Sequence, residues 1–141
     1  MKKFSFELEK VLEYRNFEKQ QAEGELAKAI AVETEINENL KKIAQNYAAV
    51  KAQMKGSLSF QDMMAGSQYN NLLEYQKEEL LKQLAEAKVV TEQKRDVLRE
   101  CMKKTTALEK LKEKQLADWK QAADYEEAEL LDEVKNKLVQ L

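Results

Sequence analysis

Lys55-Gly56-Ser57-Leu58-Ser59-Phe60-Gln61-Asp62-Met63-Met64-Ala65-Gly66-Ser67 is the stretch that decides the fold. The sequence on both sides of it reads as helix, so this segment chooses between one continuous helix and two. Gly56 is a helix stop, because glycine takes the left-handed C-terminal conformation without steric cost. Ser59 stands as an N-cap with Asp62 three residues on, and Leu58 and Met63 stand where a hydrophobic staple belongs. The segment predicts a turn over about 56–67 that holds a short helix from Phe60 to Ala65. A break follows near Gly66-Ser67, and a long helix lies on each side.

Working outward, helix one runs over about 5–55. Ser5 is its expected N-cap, and Glu7 and Glu9 complement the helix dipole in the first turn. Ala22, Leu26, Ala29, Ile36, Leu40, Ile43, Tyr47, Val50 and Met54 recur in steps of three and four, with Glu33 the one polar member. That period keeps one seam facing one partner helix. Carried backwards, the register puts Lys19 and Arg15 on the seam, where looser packing is expected, and then Leu12 and Leu8. Helix two runs over about 68–139. Its expected seam is Tyr69, Leu73, Gln76, Leu80, Leu84, Ala87, Thr91, Lys94, Leu98, Cys101, Thr105 and Leu108, continued less regularly by Leu111, Leu116, Trp119 and Ala123. The successive four-residue steps from Gln76 to Leu84 predict local unwinding there.

Folding back at the turn sets Met54 against Tyr69 and Phe4 near Trp119. Residues beyond about Ala123 then lack a partner, an overhang of roughly 27 Å at 1.5 Å per residue. Its Leu130, Leu131, Val134 and Leu138, with Leu141 at the end, form an apolar stripe, and exposed stripes of this kind mark binding surfaces. The expected fold class is therefore all-α. It is a long antiparallel two-helix coiled-coil hairpin with a short helix in the turn and a C-terminal helical overhang, one domain over 1–141.

Composition agrees. The 141 residues contain no proline and three glycines, and 35% are charged. Such usage with a helical period belongs to long helices and coiled coils. No histidine is present, so His-based triads and the common metal motifs are excluded. The glycines are too scattered to cradle a phosphate, and no enclosed pocket is expected to tune the carboxylates. We expect no enzyme, cofactor or metal. The net charge of −2 and the interspersed lysines and glutamates argue against nucleic acid. Met1-Lys2-Lys3 could open a signal peptide, but Glu7 and Glu9 fall where its apolar region should be. No stretch suits a bilayer span. An intracellular chain without membrane insertion is the expectation. Cys101 is the single cysteine, and is expected to be a small seam hydrophobe. Trp119 is expected to pack on the Phe4 end, and Leu72, off the seam beside Tyr75, to face solvent as a docking residue.

Several motifs go further. Phe4-Ser5-Phe6-Glu7-Leu8-Glu9-Lys10-Val11-Leu12-Glu13-Tyr14-Arg15 resembles the start of the bacterial flagellar export protein FliJ family. Ser59-Phe60-Gln61-Asp62-Met63 followed by Gln68-Tyr69-Asn70-Asn71-Leu72-Leu73 resembles its middle. Ala107-Leu108-Glu109-Lys110-Leu111-Lys112-Glu113-Lys114-Gln115 and Glu129-Leu130-Leu131-Asp132-Glu133 resemble its end. The resemblance implies a cytoplasmic part of the flagellar type III export apparatus, associated with the inner membrane through that apparatus. It implies an antiparallel coiled coil similar to the central shaft of rotary ATPases, monomeric when free, that binds and stimulates a hexameric export ATPase. It also implies contact with a membrane export gate and escort of export chaperones. Carried over by position, it places Phe4, Leu8, Leu12, Arg15, Leu130, Leu131, Asp132 and Glu133 at the ATPase-facing end. It places Leu72, Gln76, Glu79 and Gln83, with Leu73, at the gate-docking ridge. Family members can be apolar at the positions of Gln76 and Glu79, which are polar here.

Two other readings stay open from the residues: the analogous stalk or escort of a virulence secretion system, and a structural coiled coil that self-associates in parallel. The turn signals weigh against the second.

Overall fold

The computed structural model describes residues 2–56 and 59–140. It is all-α, with α1 over Glu9–Gln53 and α2 over Phe60–Val139, and no strand among the described residues. Two compact units divide the chain: Ala22–Leu98, and Met1–Gln21 together with Arg99–Leu141. In each, a stretch of α1 lies antiparallel to a stretch of α2, so the helical hairpin read from the sequence is the architecture found.

In the unit Ala22–Leu98 the seam of α1 is the expected one apart from Tyr47, which is exposed. Ala22, Ala29 and Ile36 are buried and Leu26, Glu33, Leu40, Ile43, Val50 and Met54 half-buried. With core positions labelled a and d, as in a heptad, Ala22, Ala29, Ile36, Ile43 and Val50 are d and Leu26, Leu40, Tyr47 and Met54 are a. On α2 the d positions are Gly66, Leu73, Leu80, Ala87 and Lys94, and Asn70, Leu84, Thr91 and Leu98 are a. The start of this seam differs by one residue from expectation. Asn70, not Tyr69, is turned inward, and Gln76 is exposed. Leu73 and Ala87 are buried, which fixes the register between them, and the unwinding step expected at Gln76–Leu84 is not needed. Asn70 Oδ1 is buried without a hydrogen-bond partner among the described residues. Such a polar a position lowers stability and selects one register. Lys94 Nζ lies 3.9 Å from Glu25 Oε2, pairing the helices toward the other limit of this unit.

The turn departs from expectation in two ways. Gly56 has no positive φ. Instead α1 ends by tightening: Met54 N–H still donates to Val50 O at 3.0 Å, whereas Lys55 and Gly56 donate three residues back, to Ala52 O and Gln53 O at 3.4 Å. These bonds satisfy carbonyls that a helix end otherwise leaves open. Gly66 and Ser67 do not break the chain either, because α2 runs through them and absorbs the short helix expected at Phe60–Ala65. Gly66 instead admits a neighbour. A Cβ there would stand 2.5 Å from Met54 Cε and 3.4 Å from its Sδ. Ser59 is the N-cap expected, its Oγ accepting from Asp62 N–H at 3.2 Å, and its carbonyl accepts the first helical bond from Met63. Leu58 of the proposed staple and Leu141 of the terminal stripe lie outside the described residues.

In the unit Met1–Gln21 with Arg99–Leu141, α1 starts later than expected. Ser5 precedes the helix, and the first i to i+4 bond is Leu12 N–H to Leu8 O at 2.9 Å. The cause is the segment ahead of it. Phe6 is buried, and Trp119 Nε1–H donates to Lys2 O at 3.0 Å, holding these non-helical residues against α2. The Phe4 and Trp119 rings meet at 6.1 Å, as the sequence predicted. Glu9 Oε2 then lies 2.7 Å from Lys112 Nζ. Lys112 is turned inward to make that pair and Leu111 is exposed, the reverse of expectation. Arg15 and Lys19 are half-buried, and Arg15 pairs with Glu18 on its own helix at 3.0 Å. Thr105 is 1% exposed. Its hydroxyl donates to Cys101 O at 3.0 Å, as Thr91 does to Ala87 O in the other unit, so neither seam hydroxyl is left unsatisfied.

Candidate interaction surfaces

No group of histidine, cysteine, aspartate and glutamate among the described residues could hold a metal ion. Cys101 is half-buried on the seam. None of the described helices is long and apolar enough to cross a membrane. The candidate sites are exposed surfaces of the two helices.

The overhang is one. Every residue from Asp124 to Gln140 is exposed, and α2 remains helical to Val139. Leu130, Leu131, Val134 and Leu138 recur at helical spacing, and a shallow cleft of about 370 Å³ opens between Ala128, Leu131, Asp132, Val134 and Lys135. Asp124, Glu126, Glu127, Glu129, Asp132 and Glu133 are unbroken by any base, so the stripe is carried on an acidic helix.

The residues assigned by resemblance to the ATPase-facing end are not gathered in one place. Leu12 is 6% exposed and belongs to the seam, Phe4 is held on Trp119, and Leu8 and Arg15 lie along the paired helices. Leu130, Leu131, Asp132 and Glu133 stand at least 11 residues past Trp119 on the unpaired helix, roughly 16 Å along its axis. Three exposed apolar side chains near the first set went unread in the sequence: Val11, Tyr14 and Phe17. They fall off the 3-4 period of the seam, and the spacing i, i+3, i+6 would have flagged them as a second face.

The second candidate is the ridge at the start of α2. Leu72, Gln76 and Gln83 are exposed and Glu79 is half-buried, with Lys82 Nζ at 3.6 Å from its Oε1. In the register found they are c and g positions, so they form one side of α2. Leu73 is 3% exposed and lies in the core, so it is not part of the exposed ridge. Tyr69 joins this side, and it lines a cleft with Gln53, Asp62 and Gly66.

The family model described as "Flagellar FliJ protein" matches residues 4–140, nearly the whole chain. No curated protein and no solved structure matches it.

Proposed function

For a chain that belongs to the flagellar FliJ family, and is thereby a component of the flagellar protein export apparatus, we propose the role of a stalk rather than of a catalyst. The acidic overhang from Asp124 to Gln140 docks into the hexameric export ATPase and stimulates it. The ridge of Leu72, Gln76, Glu79 and Gln83 contacts the export gate, which holds the otherwise cytoplasmic protein at the inner membrane, and the chain escorts export chaperones. The overhang carries this reading. A helix of this length is marginal alone in water and gains order by burying its apolar stripe against a partner. Its exposed Leu130, Leu131, Val134 and Leu138 supply that stripe.

The test is the hydrolysis rate of the organism's flagellar export ATPase with and without this chain. Stimulation by the full chain that disappears when the residues after Ala123 are removed is expected. Undiminished stimulation by the truncated chain would refute the docking role of the overhang.

A further inference from the structure

Between Glu38 and Glu74 the chain carries one acidic residue, Asp62, against four lysines: Lys41, Lys42, Lys51 and Lys55. Here the interspersion of charge fails in the cationic sense, the opposite of the acidic overhang, and the interval coincides with the turn end of the unit Ala22–Leu98. All four lysines are exposed, and none is in an ion pair among the described residues.

The register sorts these charges by side. Lys41, Ala44, Ala48, Lys51 and Lys55 follow at steps of three and four along the e and b positions of α1. Phe60, Met64, Ser67, Asn71 and Glu74 do so along α2. Both stripes open on the same side. Ala44 from one and Glu74 from the other line a common cleft of about 550 Å³ with Tyr47 and Leu81. Asp62 is a g position and lines the cleft that opens on the opposite side with Gln53 and Tyr69. The e-side face therefore combines three lysines with Phe60, 76% exposed, and Met64; Asp62 lies on the other side, and Glu74 stands at the end of the stripe away from the turn. Met63, three residues on from Phe60, is also exposed.

From this we infer a second binding face: the turn end of Ala22–Leu98 adsorbs on an anionic lipid surface. Lys41, Lys51 and Lys55 face the headgroups, and Phe60 and Met64 sink to the acyl boundary. A bilayer surface suits this combination because it asks for cationic charge and flexible apolar side chains and for no shaped pocket. The face lies on the side of α2 away from Leu72, Gln76 and Gln83, so it is independent of the proposed gate contact. Adsorption of this kind asks for no spanning helix, and none of the described helices is fit to cross a membrane.

Flotation of the purified full chain with vesicles of phosphatidylglycerol and phosphatidylcholine in equal parts, against phosphatidylcholine alone, tests it without any protein partner. Binding to the anionic vesicles only, weakening with added salt, is expected. K51Q with K55Q should lower partitioning about 25-fold, at about fivefold per lysine. F60S with M64S should abolish it, with circular dichroism unchanged because all four side chains are exposed. F60W should show blue-shifted emission with anionic vesicles that the parent chain, with Trp119 alone, does not. Failure to float, or flotation untouched by both double variants, overturns the inference. Self-association lost in K51Q/K55Q, without vesicle binding, would assign the face to the acidic overhang of a second copy instead.

Discussion

Gly66 offers the most direct check on the turn, because two accounts of it predict opposite signs. If glycine were there to break the helix, alanine would strain the chain and destabilise it. In the structure Gly66 is helical without positive φ, and it is kept small by Met54. Gly66→Ala then gains about 1 kcal/mol of helix propensity. Against this stands the new Cβ, 2.5 Å from Met54 Cε and 3.7 Å from its Cγ, so the thioether end must move. Methionine is unbranched and flexible, and an off-rotamer shift costs about 0.5–1.5 kcal/mol. The single variant should thus fall within about 1 kcal/mol of the parent chain. In a Met54→Ala background nothing opposes the Cβ, and the full gain of about 1 kcal/mol should appear. Urea unfolding followed by far-ultraviolet circular dichroism on the four members of this cycle isolates the coupling. Equal stabilisation by Gly66→Ala in both backgrounds would show that Met54 does not sit on Gly66. Strong destabilisation in both would restore the helix break.

Substitutions at three further positions address the paired helices. Trp119→Phe keeps a ring for Phe4 but deletes the donor to Lys2 O; amide exchange should show lost protection around the N-terminal segment, worth about 1 kcal/mol, and unchanged exchange there would refute the strap. Thr105→Val preserves the shape of a residue that is 1% exposed and removes a hydroxyl bonded only along its own helix; its unfolding midpoint should stay close to that of the parent chain, whereas Thr105→Leu should cost about 1–3 kcal/mol by overpacking. Glu9→Gln breaks the 2.7 Å pair with Lys112 at a partly exposed site; a loss of at most about 1 kcal/mol that vanishes at high salt is expected in thermal melts, and a larger, salt-independent loss would mean the pair is effectively buried.

The seam of α1 was legible because ten successive slots follow one spacing and only Glu33 interrupts them. The seam of α2 was legible from Leu80 to Leu108, where alternating steps of three and four leave one choice. It failed where two adjacent residues compete for a slot. Tyr69 and Asn70 are adjacent and apolarity favours the tyrosine, yet the buried Leu73 and Ala87 decide the register and bring Asn70 with it. At the other slot, Leu111 lost to Lys112 because Glu9 offers a carboxylate to the lysine. That pairing depends on where the N-terminal segment lies, which no local pattern encodes. Ser5 misled for the same reason: its cap would start a helix through Phe6, whereas burial of Phe6 and the hold of Trp119 on Lys2 keep those residues out of the helix. The overhang needed only a comparison of helix lengths. The separation of Phe4, Leu8, Leu12 and Arg15 from Leu130–Glu133 could not be read from motifs, because a motif records order along the chain and not which side chains the seam consumes.

The seam itself explains why so much apolar surface on this chain is exposed. Of the described residues buried in Ala22–Leu98, Ala22, Ala29, Ala87 and Thr91 are small, and only Ile36 and Leu73 are large. Small seam residues let two backbones approach closely but bury little apolar area each, so the stabilisation per residue is modest. Seam leucines such as Leu26, Leu40, Leu80 and Leu84 are only half-buried, and further large apolar side chains lie off the seam, Leu72 and Tyr69 on one side of α2, Phe60 and Met64 on the other. A chain selected for intrachain stability would invert that allocation, with leucine at the alanine slots and polar residues at the exposed ones. The observed allocation leaves two chemically different sides on one helical pair, one polar and aromatic, one cationic and apolar. A substitution on either side should therefore alter association while leaving the unfolding midpoint in place, and Leu72→Ser and Phe60→Ser measured side by side provide the comparison. A large loss of stability from either would show that its side chain belongs to the core and that the side it occupies is not free to bind.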